Sequence, residues 1–118
     1  MLSKTFEVDG VKATVHTDNG RSYLAKKIIY RKVDIDPSDA QAVEEWVMFT
    51  RAVTQSADVV VPFPWPTAAS SREELVAAKD CFLALSWQVI SEWDAALTEV
   101  DTPPITEPDV SSTTPKND

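Results

Sequence analysis

The run Val59-Val-Val-Pro-Phe-Pro-Trp-Pro66 constrains this chain more than any other segment. Proline fixes φ near −65°, removes a backbone donor and holds the residue before it in an extended conformation. Val61, Phe63 and Trp65 each precede a proline, so the run is excluded from helix and from the middle of a sheet. It reads as a stiff, extended connector carrying two aromatic rings between segments that both have helical patterns. Rings on such a connector either plug a neighbouring core or are offered to a partner, and the residues leave both outcomes open.

Upstream, Thr5-Phe-Glu-Val and Val11-Lys-Ala-Thr-Val-His-Thr alternate on either side of Asp9-Gly10. Asp-Gly between two alternating runs predicts a two-residue hairpin over residues 4–17, with Phe6 and Val8 on one face of the first strand and Val11, Ala13 and Val15 on one face of the second. Asp18-Asn-Gly20 ends the second strand. Leu24, Ala25, Ile28, Ile29 and Val33 then recur at helical spacing and predict a basic helix over about 22–33, with a third strand at Ile28–Tyr30 as the alternative. Asp36-Pro37 reads as an N-cap followed by proline at the first helical position, opening a helix over 37–56 with Val43, Trp46, Val47, Thr50 and Val53 as its apolar stripe.

Downstream, Ser70-Ser-Arg-Glu-Glu74 carries a capping-box signature. Leu75, Phe82, Val89 and Ala96 recur every seven residues, with Ala78, Leu85 and Trp93 between them, and predict one long helix over 71–98. From residue 101 onward the chain is rich in proline and acid and poor in apolar residues, the composition of a disordered tail over 101–118. The expected fold class is α+β: one small domain over 1–100, with an N-terminal β-hairpin, two to three helices and the acidic tail.

The net charge of −8 divides unevenly. Residues 1–33 carry +4, with a small basic block at Lys26, Lys27, Arg31 and Lys32, and residues 34–118 carry −12. The acidic total argues against a generic nucleic-acid binder, and the basic block reads first as the solvated face of one helix. A single cysteine permits no internal disulfide, the start carries no apolar leader, and no run reaches the roughly 18 apolar residues of a membrane span. These features point to a soluble protein of a reducing cytoplasm.

Residues with chemical potential are sparse. His16, the single histidine, is expected at the surface of its strand, pointing opposite to Val15; Cys81 is expected as a buried, inert thiol beside the stripe of the long helix. One His and one Cys do not supply a metal site, and Asp34-x-Asp36 lacks the glycine and terminal glutamate of a calcium loop. No nucleotide or phosphate fingerprint occurs. The expectation is a non-enzymatic protein with no catalytic residue, metal or cofactor. The four tryptophans carry more information. Trp46 and Trp93 fall on the helical stripes and are assigned to the core, whereas Trp65 and Trp87 lie off them. With Phe63 and Leu83, these two are the candidate partner-binding residues, because aromatic anchors dominate protein interfaces.

The layout resembles the tail assembly chaperones of long-tailed, siphovirus-type bacteriophages. The resemblance rests on the opening Lys4-Thr-Phe-Glu-Val-Asp-Gly-Val-Lys-Ala-Thr-Val, the Glu45-Trp46 helix and Pro62-Phe-Pro-Trp-Pro66. Ile90-Ser-Glu-Trp-Asp-Ala-Ala-Leu97, followed by Val100-Asp-Thr-Pro-Pro and an acidic tail, completes it. It implies a helical or mixed domain in the host cytoplasm that coats the aggregation-prone tape measure protein, together with self-association. It also implies a frameshifted longer form that recruits tail tube protein. Thr114-Pro-Lys-Asn117 can be encoded with a C-CCA-AAA slippery heptamer. Two other readings stand beside it: a small acidic phage protein that inhibits a host nucleic-acid-binding protein, and a minor structural subunit of the virion. The basic block is not explained by the resemblance.

Overall fold

The Asp9-Gly10 turn closes as the sequence predicts. Both residues have positive φ (50° and 81°), the requirement of the hairpin turn whose twist matches its strands. A computed structural model describes residues 2–102, in which β1 (Ser3–Val8) and β2 (Val11–His16) pair antiparallel with Phe6 opposite Ala13 and Val8 opposite Val11. Phe6, Val11, Ala13 and Val15 are buried, and the outer face carries the Thr5–Thr14 hydroxyl pair at 2.7 Å.

Helix α1 (Gly20–Val33) follows, so the β-rich triplet Ile28-Ile29-Tyr30 is helical. It starts at a reciprocal capping box between Asn19 and Ser22, which satisfies two free N–H groups at once. Its predicted apolar stripe is only partly used. Ile29 and Val33 are buried, but Leu24 and Ile28 face outward. Helix α2 (Ala40–Gln55) is capped by Asp39, whose side chain accepts from the Ala42 N–H, and not by Asp36. Asp36 instead holds a turn with Ser38 through bonds of 2.9 and 2.8 Å, which keeps its carboxyl below the usual range. Trp46, Phe49, Thr50, Ala52 and Val53 are buried along α2; Phe49, fully enclosed, lies beside the expected stripe, while Val47 on that stripe is exposed.

Two features depart from the predicted element order. Strand β3 (Ser56–Val60) continues from α2 without a loop and pairs antiparallel with β2, giving the sheet order β1-β2-β3. It is an edge strand with an irregular register, kinked where Asp58 adopts φ 53°. Val59 and Val60 are strand formers but Ser56-Ala-Asp58 is not, so the free edge of β2 extends the strand back to Ser56. The long helix over 71–98 is instead two, α3 (Arg72–Leu83) and α4 (Trp87–Asp101), which brings the helices to four. At the break, the Ala84 N–H still bonds to Asp80 and Cys81, Ser86 turns extended, and its hydroxyl caps α4 at Val89. The same hydroxyl donates to Asp9 at 2.9 Å, tying the break to the hairpin turn. α3 begins at the expected Ser71–Glu74 capping box. The predicted tail and the slippery-codon residues, from 103 onward, lie outside the described residues.

The heptad residues Leu75, Phe82, Val89 and Ala96 are all buried despite the break, because α3 and α4 turn their apolar faces into one core. α4 packs on β1 and β2, while α2 packs against α1, α3 and α4. An aromatic cluster fills the centre. Phe6, Phe82 and Trp65 surround Trp93 at centroid distances of 5.2–5.3 Å, and Phe49 meets Phe82 at 5.6 Å. The Trp93 indole donates to Ser56 at 3.0 Å, so this enclosed ring leaves no polar atom unpaired. The end of α4 is pinned by a polar network. Asp101 accepts from the Asp18 backbone and from Gln55; Gln55 accepts from Lys26; and Thr17 donates to the Val100 carbonyl.

Candidate functional site

Trp87 has the largest exposure of any big apolar side chain among the described residues, 74%. Its position follows from the helix break. Ser86 caps α4, so Trp87 occupies the first helical position, before the apolar face of α4 reaches the core. One turn later Ile90 is half-buried, and beside it on α2 stand Val47, 39% exposed, and the half-buried Met48. Together these four side chains line a groove of about 440 Å³ between α2 and α4.

The polar lining is acidic. Glu44 lies at one edge and Asp94 at the other; Arg51 reaches both Asp94 and Asp101 at 3.5 Å. The one cation of the groove is therefore already engaged, and Glu44 remains in no ion pair among the described residues. An apolar floor with carboxylates along its margin suits an amphipathic helix whose flanks carry Lys or Arg.

The four residues expected to bind a partner do not form one surface. Trp65, which the sequence leaves open between core plug and partner surface, packs half-buried against the core. Its ring stacks on Trp93 at 5.2 Å and 17° and meets Phe49 and Phe82 at 6.3 and 6.2 Å. Phe63 is half-buried against Trp65 at 6.0 Å, and Leu83 is half-buried against the core. The connector thus acts as a plug. It also forms one wall of a second cavity of about 270 Å³ with Glu74, Ala77 and Cys81 of α3. Of the four, only Trp87 is largely exposed. Val47, Met48 and Ile90 are the groove residues that sequence reasoning missed; an apolar residue beside a carboxylate on two different helices becomes a site only once the helices are adjacent.

Cys81 is exposed rather than buried, because α3 turns its Ala78 and Phe82 neighbours inward instead. His16 is half-buried, its Nδ1 2.9 Å from the Thr17 carbonyl oxygen. Among the described residues no group of three His, Cys, Asp or Glu side chains is placed to hold a metal ion, and no helix is long and apolar enough to cross a membrane. Comparison with protein-family models, curated proteins and solved structures gives no match.

Proposed function

We propose that this protein is a non-enzymatic assembly chaperone that holds an aggregation-prone helical client in solution, as the tail assembly chaperones it resembles hold the tape measure protein. The observation that carries the reading is the α2–α4 groove, with Trp87 exposed at its mouth above Val47, Met48 and Ile90. A rigid ring beside aliphatic side chains supplies an anchor at little cost in side-chain entropy. The net charge of −8 keeps coated client molecules apart by mutual repulsion. In the longer form that the resemblance implies, an extension beyond the acidic tail would recruit tail tube protein.

The test is co-expression with a tape measure protein, reading the soluble fraction of the client. Wild-type protein should keep the client soluble, and Trp87→Ala or Ile90→Asp should return it to the pellet with the chaperone itself still folded. Full activity in both variants would remove the groove from the mechanism. Recovery of the protein in purified virions would favour a structural subunit instead, and capture of a host nucleic-acid-binding protein would favour the inhibitor reading.

A further inference from the structure

The groove leaves the basic face of α1 unused. Arg21, Leu24, Ile28 and Arg31 follow one another at helical spacing on one stripe, with Tyr23 and Lys27 beside it. Leu24 is 59% exposed, Tyr23 53% and Ile28 42%. Lys27 lies over the Tyr23 ring at 5.4 Å. Arg21, Lys27 and Arg31 are exposed and enter no ion pair among the described residues, in contrast to Lys26, which is tied to Asp18 and Gln55. Single exposed apolar residues need no explanation, but three on adjoining turns, bordered by unpaired cations, form a surface built for something acidic and partly apolar.

Charge and connectivity select the occupant. The chain beyond the described residues begins Pro103-Pro-Ile-Thr-Glu-Pro-Asp-Val110, in which Glu107 and Asp109 sit between the apolar Ile105 and Val110. Its point of departure is fixed beside α1. Asp101 accepts from the backbone N–H of Asp18, and Asp18 directly precedes Asn19, the α1 cap. Residues 103–110 can span roughly 25 Å when extended, and the stripe from Arg21 to Arg31 is about 15 Å long.

We propose that residues 103–110 of the same chain dock along α1. Ile105 and Val110 supply the apolar chemistry, and Glu107 and Asp109 the acidic chemistry, that Leu24, Ile28, Lys27 and Arg31 call for. The attachment at Thr102 makes the contact intramolecular, with an effective concentration in about the millimolar range, so an interaction too weak to hold a free peptide suffices. The acidic tail then shields the basic apolar face and leaves the α2–α4 groove open. This inference does not depend on the client's identity.

The test is paramagnetic relaxation enhancement on the full chain, with a nitroxide at Ser111→Cys in a Cys81→Ala background. Amides of Tyr23 through Arg31 should lose most of their intensity. Lys27→Glu with Arg31→Glu, both on the exposed face, should restore it, and raised salt should weaken the effect. Undiminished α1 signals, or loss centred on the α2–α4 groove, would overturn the proposal. So would loss in an unlabelled, isotope-enriched chain mixed with labelled chain, which would assign the face to a second copy. Should the charge-reversed variant unfold, the wild-type pattern and its salt dependence decide alone.

Discussion

Among the tryptophans, burial separates rings of equal chemistry. Trp46 and Trp93 lie on stripes of helical spacing, and both are in the core. Trp65 could not be assigned from its neighbours, because a ring on a proline-stiffened connector finds an internal place only if other elements leave a slot. Here Trp93, Phe49 and Phe82 form that slot. Trp65→Ala should therefore cost about 3 kcal/mol, somewhat less than a fully enclosed ring, and appear as a lower urea midpoint with unchanged slope. Trp87→Ala should change stability, read the same way, by no more than about 0.5 kcal/mol. Equal effects from the two substitutions would mean that the stacked geometry contributes nothing to stability.

Element boundaries were legible where the signal is local. The Asp9-Gly10 turn and the Ser71–Glu74 box are each specified within four residues, and both form. The α3–α4 break escapes such reading because Ala84-Leu85-Ser86 contains neither glycine nor proline, and the seven-residue apolar spacing continues through it. Ser86 supplies both the cap of α4 and the bond to Asp9, so Ser86→Ala should cost about 1 kcal/mol. Hydrogen exchange should quicken at Val89 and Ile90 while α3 is unchanged; equal quickening in both helices would show that they behave as one unit. β3 is the opposite case. Ser56-Ala-Asp58 carries little strand signal and Val59-Val60 is too short to specify a strand alone, so pairing with the edge of β2 completes it.

Over the whole molecule, the polar network at the end of α4 joins β2, α1, α2 and the origin of the tail, and it gives folding an acid dependence. Burial pushes the Asp18 carboxyl up, but hydrogen bonds from Ser22, Lys26 and Asn19 and the Lys26 charge outweigh it and hold the group below its ordinary value. A depressed carboxylate contributes stability that is complete above its unfolded pKa of about 3.9 and is lost as pH falls through the lower folded value. Asp18→Asn should therefore be less stable than wild type at neutral pH, and the gap should close as pH falls below about 4. Urea midpoints between acid and neutral pH check this; a gap independent of pH would remove Asp18 from the acid response. The groove belongs to this scale as well, since Glu44, Val47, Trp87 and Asp94 come from two helices separated by β3, the connector and α3. By itself the sequence determined the α+β class, the hairpin, the Ser71–Glu74 capping box and the two core tryptophans, because turn chemistry and helical periodicity act over a few residues. The tertiary structure alone decided that the connector plugs the core, that the last helix breaks, that β3 forms, and that Trp87 and the α1 stripe stay exposed. Each of those outcomes depends on which surfaces remain uncovered once distant elements have packed.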